Sequence, residues 1–169
     1  MNVAAIQLNH YFVTDLAVKA NLKFDPEKDV EGRMDEFLAV PKLRPMGDEE
    51  GTSRDWQVEL DIRHQPGPDV NFPYEFRLEL VGFFRVSEDL RNKGDADAER
   101  RFVKVNGASI LYGIAREIIR ANSARGPWEG IMLPTVSFFE KVAKKSEETS
   151  QKSASAKKKR ARRIQEAEK

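Results

Sequence analysis

The sequence predicts an α+β fold, with strands first and helical segments last. Three observations carry this. Apolar and polar residues alternate with period two over 6–24, 56–63 and 74–86, and an apolar stripe of helical period runs over 110–119. Beyond about residue 145, large apolar side chains nearly vanish. With 169 residues, 40% of them hydrophobic, the chain supports one domain with a core, assigned to 1–145, and a tail over 146–169.

In the first strand the even positions Ile6, Leu8, His10, Phe12, Thr14, Leu16, Val18, Ala20, Leu22 and Phe24 make the face expected to be buried. The odd positions are mostly polar, except for an apolar stretch at Tyr11 and Val13. An average strand has about 5–6 residues, so one this long is expected to be kinked by a bulge. Pro26 ends it. Residues 27–55 are charged and punctuated by glycine and proline, and only FLAV at 37–40 reads as a short strand. Trp56, Val58, Leu60 and Ile62 then alternate with Gln57, Glu59, Asp61 and Arg63, the pattern of a strand with one wet face.

After the loop QPGPDVNFP, the even residues from Tyr74 to Val86 alternate with Glu75, Arg77, Glu79, Val81, Phe83 and Arg85. The second half of this strand is therefore apolar on both faces. SEDLRNKGDADAER reads as a charged connection, after which Asn106 is the expected cap of a helix. Its stripe is Ile110, Leu111, Ile114, Ala115, Ile118 and Ile119, and Arg120 sits where the helix dipole favours a cation. Gly126 and Pro127 break the segment. Ser137-Phe-Phe-Glu140 reads as a capping box opening a second helix.

The net charge of +1 hides an asymmetry. Residues 141–169 hold eleven Lys or Arg and four Glu, leaving 18 basic and 24 acidic residues in 1–140. The tail, expected to be disordered, carries KKKRARR at 157–163, which suits nucleic-acid phosphates; without interleaved aromatics, a solubilising role is the stronger reading. Cysteine is absent, which excludes disulfides and thiolate metal sites. The start MNVAAIQLNHYFVTD lacks the pattern of a secretory signal, and no run reaches the roughly 18 apolar residues of a membrane span, so a cytoplasmic protein is expected.

Enzyme chemistry finds little support. The chain has no GxSxG, P-loop, GxGxxG or HExxH, and His10 and His64 lack neighbouring ligands at metal spacing. No catalytic residue, metal or cofactor is expected. The unexplained residues are apolar: Tyr11, Val13, Val81 and Phe83 on strands, and Trp128, Ile131 and Met132 in the loop after the helix. Val81 and Phe83 fit either a packed interior or a binding surface. The loop position of the other three favours an interaction site, because apolar patches rimmed by charge mark such sites and methionine adapts to varied partners.

NGASILYGIAREIIRANSARGPWEGIMLPTVSFF resembles the C-terminal half of the SecB family of bacterial chaperones: a helix of the form ILxxxARExI, an SRG turn, an apolar loop, a proline and an aromatic-bearing second helix. VGFFRV resembles the glycine-bearing end of that family's last strand. The resemblance implies an antiparallel four-stranded sheet with two C-terminal helices packed on one face, assembled as a homotetrameric dimer of dimers. It also implies long grooves that hold unfolded polypeptides and preproteins without nucleotide. Trp128, Ile131 and Met132 would then line a client groove, together with Tyr11, Val13, Val81 and Phe83.

Export-type members of the family dock the SecA motor through acids on the sheet. Asp15 matches the first, but Lys19 stands at the second and Arg77 aligns with a further one. Such reversals of sign weigh against ordinary SecA docking. The expected client pathway is either Sec export or protection of an antitoxin, and nucleic-acid binding through the tail is the alternative of another class.

Overall fold

The computed structural model describes residues 4–30, 37–47, 55–67, 69–91 and 95–139. Along the chain lie β1 (Ile6–Ala20), β2 (Leu38–Met46), β3 (Asp55–His64), β4 (Tyr74–Val86), a single turn α1 (Glu88–Arg91) and a long α2 (Ala96–Ser123). Among the described residues the strands form one sheet in the order β1-β4-β3-β2, and every neighbouring pair is antiparallel. β2, β3 and β4 form a meander, and β1 returns beside β4 as in a Greek key. These elements all lie in one compact unit, Met1–Phe138; of a second unit, Phe139–Lys169, only Phe139 is described. The expected tail and the domain boundary near residue 145 lie outside the described residues.

The central strands follow the alternation in the sequence. Val58, Leu60 and Ile62 of β3 and Phe76, Leu78, Leu80 and Phe84 of β4 are buried under α2, which contributes Val103, Leu111, Ala115 and Ile119. Burying each large apolar side chain is worth roughly 1.5–3 kcal/mol, which makes this face the main source of stability. Two glycines let the helix sit close. A Cβ at Gly82 would fall 2.7 Å from Leu111 Cδ2, and one at Gly107 would fall 2.8 Å from Val58 Cγ2.

β1 departs from its simple alternation. Its register against β4 shifts between Leu8 and His10 and again between Val13 and Asp15. Each extra residue turns the following side chains over. Ile6, Leu8, Val18 and Ala20 therefore pack on the core as expected, but His10 and Phe12, opposite Phe83 and Val81, turn to the outer face. Tyr11 and Val13 come round to the helix side, opposite Gly82 and Leu80. The strand stops at Ala20, where Asn21 N–H bonds the Pro73 carbonyl, so Leu22 and Phe24 are not part of it.

β2 is longer than FLAV because an edge strand tolerates Pro41 and Pro45, which a central strand would exclude. α2 starts ten residues before the expected cap. Asp95 is the N-cap, its carboxylate accepting the Ala98 N–H at 2.9 Å, and Asp97 and Glu99 place negative charge in the first turn. Asn106 lies inside the helix, where its side-chain amide donates to the Phe102 carbonyl. The signal was GDADAE, hidden in a stretch that reads as charged linker. After α2, residues 131–139 have no regular secondary structure, so the expected second helix does not begin at Phe138 or Phe139. Its remainder, from Glu140 on, lies outside the described residues.

Candidate functional site

The outer face of the sheet, opposite α2, carries cross-strand rows of charge. Asp15, Glu79 and Asp61 share one row, and Arg77 and Arg63 share the next. Like charges directly opposite each other destabilise a sheet, and here diagonal pairing relieves them. Arg77 Nε lies 3.0 Å from Asp15 Oδ2, Arg63 lies 3.3 Å from Glu79, and Arg63 Nε donates to Asp61 at 2.7 Å. Hydrogen bonding to Asp61 and to Glu79 holds the Arg63 and Arg77 guanidiniums above their ordinary range. Lys19 pairs with Glu75 at 3.2 Å. The three positions that bear on SecA docking thus share one face, where each is engaged by a neighbour of opposite sign.

Beside these rows lies an aromatic cluster. His10 stacks on Phe83 with ring centroids 4.6 Å apart, and the Phe12 ring meets both edge-on. Val81 stands opposite Phe12. Sequence reasoning found Val81 and Phe83 but not His10 and Phe12, because only the bulges bring those two to this face.

On the helix side, β1 is only partly covered. Tyr11 and Val13 are each 42% exposed, and Leu16 is exposed beside them. By helical phase Ile110, Ile114 and Ile118 lie on the flank of α2 opposite Tyr112 and Arg116. Tyr112 stacks on Phe37, just before β2, so the isoleucine flank is the one turned towards β1. Ile110 is exposed there, and the whole forms an apolar strip along the sheet margin.

The loop after α2 is anchored at several points. The Tyr74 hydroxyl lies 2.9 Å from the carbonyls of both Ser123 and Trp128, as donor, and accepts the Trp128 N–H at 3.1 Å. Gly126 makes room, since a Cβ there would fall 2.5 Å from that hydroxyl. Trp128 Nε1 donates to the Asn21 carbonyl, and its ring meets Phe24 edge-on. Ile131 donates its N–H to Ser123 Oγ at 2.8 Å and is 8% exposed, whereas Met132 is 47% exposed. Of the three loop residues only Met132 lies open; Trp128 is half-buried and Ile131 belongs to the core.

The seven apolar candidates thus fall into three places: Val81 and Phe83 outside, Tyr11 and Val13 on the β1 margin, and the loop residues beyond the C-terminus of α2. Tyr74, Tyr112, Arg116 and Ser123, which hold the loop and the segment after it, were not singled out. For the two tyrosines there was a signal, because a buried phenol needs a partner for its hydroxyl. Among the described residues no group of three His, Asp or Glu side chains gathers as metal ligands, and no helix is long and apolar enough to cross a membrane.

No protein-family model matches the chain, and no curated protein matches it in sequence. A solved structure does. It is that of the Mycobacterium tuberculosis SecB-like chaperone Rv1957 in complex with a ChAD peptide from the Rv1956 HigA1 antitoxin. The match has a TM-score of 0.51 and 12% identity, and covers 80% of this chain and 94% of the other. Together with the four-stranded antiparallel sheet and the helix packed on it, this shows that the chain has a SecB-like α+β fold.

Proposed function

We propose that the protein is an ATP-independent holdase chaperone, not an enzyme, that binds non-native polypeptide segments as a homo-oligomer. The observation that carries this is the apolar strip of Tyr11, Val13, Leu16 and Ile110 on a SecB-like fold. A second copy covering that strip would turn the β1 margin into an interface and set apolar surfaces of two protomers side by side. The body, 1–145, carries this activity, and the basic tail, 146–169, is dispensable for it.

The test is suppression of aggregation of a heat-unfolding substrate, without nucleotide, by the full chain and by a chain ending at residue 145. Both are expected to suppress it in proportion to their concentration. Failure of both removes the holdase reading, and failure of the shortened chain alone moves the activity to the tail.

The neighbour's complex with an antitoxin peptide and the charges of the outer face favour an antitoxin-type client over delivery to SecA. Asp15, the acid that matches export-type members, is engaged by Arg77, and Lys19 adds a charge of the opposite sign. Lys19→Glu with Arg77→Glu is expected to strengthen binding of SecA from the same organism, measured by titration at fixed ionic strength. Tight binding by the unaltered protein, lost in this variant, would assign it to export instead.

A further inference from the structure

Residues 131–138 form a strap without regular secondary structure that packs on the body at two pairs of alternate residues, the phase changing after Pro134. Ile131 and Leu133 are buried, Val136 and Phe138 are half-buried against the core, and Met132, Thr135 and Ser137 point outward. Three side chains of α2 hold its backbone. Ser123 Oγ accepts the Ile131 N–H at 2.8 Å, Arg116 Nε donates to the Leu133 carbonyl at 2.9 Å, and the Tyr112 hydroxyl donates to the Pro134 carbonyl at 2.7 Å. The body there recognises a polypeptide through backbone atoms, which every sequence has, and through two apolar sockets at alternate residues.

We propose that this rail of Tyr112, Arg116 and Ser123 is a docking site for an extended client segment with apolar residues at alternate positions, and that the strap is a tethered mimic of such a client. This rests on the holdase reading. The mimic defines the occupant, since whatever replaces it meets the same donors, the same acceptor and the same two sockets. A tethered segment competes at a high effective concentration, so a free client binds only to the fraction of molecules whose strap has lifted. The sign of one mutation therefore separates this from the reading in which Ile131 itself contacts a client. In that reading Ile131→Ala weakens holding, whereas here weakening the strap's anchors strengthens it.

The probe is a fluorescent peptide of residues 128–138, titrated against the full chain by anisotropy. Ile131→Ala with Leu133→Ala is expected to bind it more tightly, by about tenfold if the strap is closed nine-tenths of the time. Adding Tyr112→Phe and Arg116→Leu to that variant should reverse the gain. A measurement without mutation backs this up in case the variant fails to fold. When the unaltered protein is saturated with reduced, carboxymethylated lactalbumin, which stays unfolded, the Ile131 amide should exchange its hydrogen faster, because the strap has been displaced. Binding of that client with slower exchange at Ile131, or weaker peptide binding by a folded anchor variant, overturns the inference and leaves the holdase reading standing. If no client binds and no aggregation is suppressed, both fall.

Discussion

Among the described residues, β1 and β2 border the sheet and each leaves one side of its backbone without a neighbouring strand, but they treat that border in opposite ways. β2 is nine residues long and contains Pro41 and Pro45. Successive residues of an antiparallel strand direct their backbone groups to alternate sides, so these two prolines, four apart, remove donors from the same side. The ladder to β3 runs unbroken from Leu38 to Met46, which places the missing donors on the open edge. β1 has fifteen residues with neither proline nor glycine, and it bears exposed apolar side chains on both faces. Edges are ordinarily blunted against association, and one that is not invites it. Among the described residues, prolines close the β2 border, whereas the β1 border has none and, for all its two bulges, keeps a long apolar strip.

The largest expected effect breaks this contrast at the open border. If the proposed homo-oligomer forms through this border, Val13→Asp, which places a charge in the apolar strip, is expected to reduce it to monomers, as read by light scattering at micromolar concentration. Val40→Asp, on the outer face of β2, should leave the mass unchanged. Equal behaviour of the two variants would show that assembly does not use β1.

Next in size come the glycines that set α2 against the two halves of the sheet. Gly82 stands opposite Tyr11 on the β1 side, and Gly107 abuts Val58 on the β3 side. Gly82→Ala and Gly107→Ala are each expected to cost about 1–3 kcal/mol by overpacking, measured from the denaturant midpoint. Gly113→Ala is the internal control, because a Cβ there meets nothing within 4 Å. It should stabilise the helix by about 0.5–1 kcal/mol. If Gly82→Ala also weakens assembly while Gly107→Ala does not, the seating of α2 and the open edge are coupled.

Much of this contrast was legible in the sequence. The period-two runs placed β3 and β4, because each has one continuously buried face and neither contains a bulge. The stripe of Ile110, Leu111, Ile114, Ala115, Ile118 and Ile119 placed the body of α2. What misled was local. In β1, two extra residues exchange the faces between them, and a simple alternation cannot show where a bulge falls. Between Ser87 and Arg101, acidic residues that serve as cap and first turn look the same as loop composition. Ile131 reads as loop surface because its burial depends on Ser123, which accepts its N–H from the end of α2, and on Tyr74, distant in sequence, which holds Ser123 and Trp128. The strap's packed residues were present in IMLPTVSFF, but their phase changes after Pro134, and Ser137 followed by Glu140 reads equally well as a helix start.

A smaller effect tests how the β2 side of α2 is held. Tyr112 lies between Phe37 and Phe138, and burial pushes its phenol up from an ordinary value of 10 to about 12. The neutral phenol donates to Pro134, so folding favours the protonated form. A group whose pKa is raised on folding contributes stability that is whole below its unfolded pKa and lost as pH rises through its folded one. Stability should therefore decline between about pH 10 and 12. Tyr112→Phe should flatten that part of the denaturation profile and leave the β1-dependent mass unchanged.

The smallest expected effect on stability is also the sharpest test of why β2 is closed. Pro41→Thr with Pro45→Thr returns two donors to the open side of the strand and adds β-branched side chains that suit it. The ladder to β3 loses nothing, since its bonds use the other side of the backbone. The midpoint of unfolding should therefore move by no more than about 0.5 kcal/mol. Association should change instead, because a nine-residue edge flanked by exposed Leu38, Val40 and Met46 then presents a continuous row of donors and acceptors. Light scattering over time should show concentration-dependent growth beyond the mass of the unaltered protein. The same substitutions combined with Val13→Asp should still grow, through β2 alone. If the double proline variant keeps the unaltered mass at every concentration, the prolines are not what closes this edge, and the outward charges of Lys42 and Arg44 on the same strand are the next candidates.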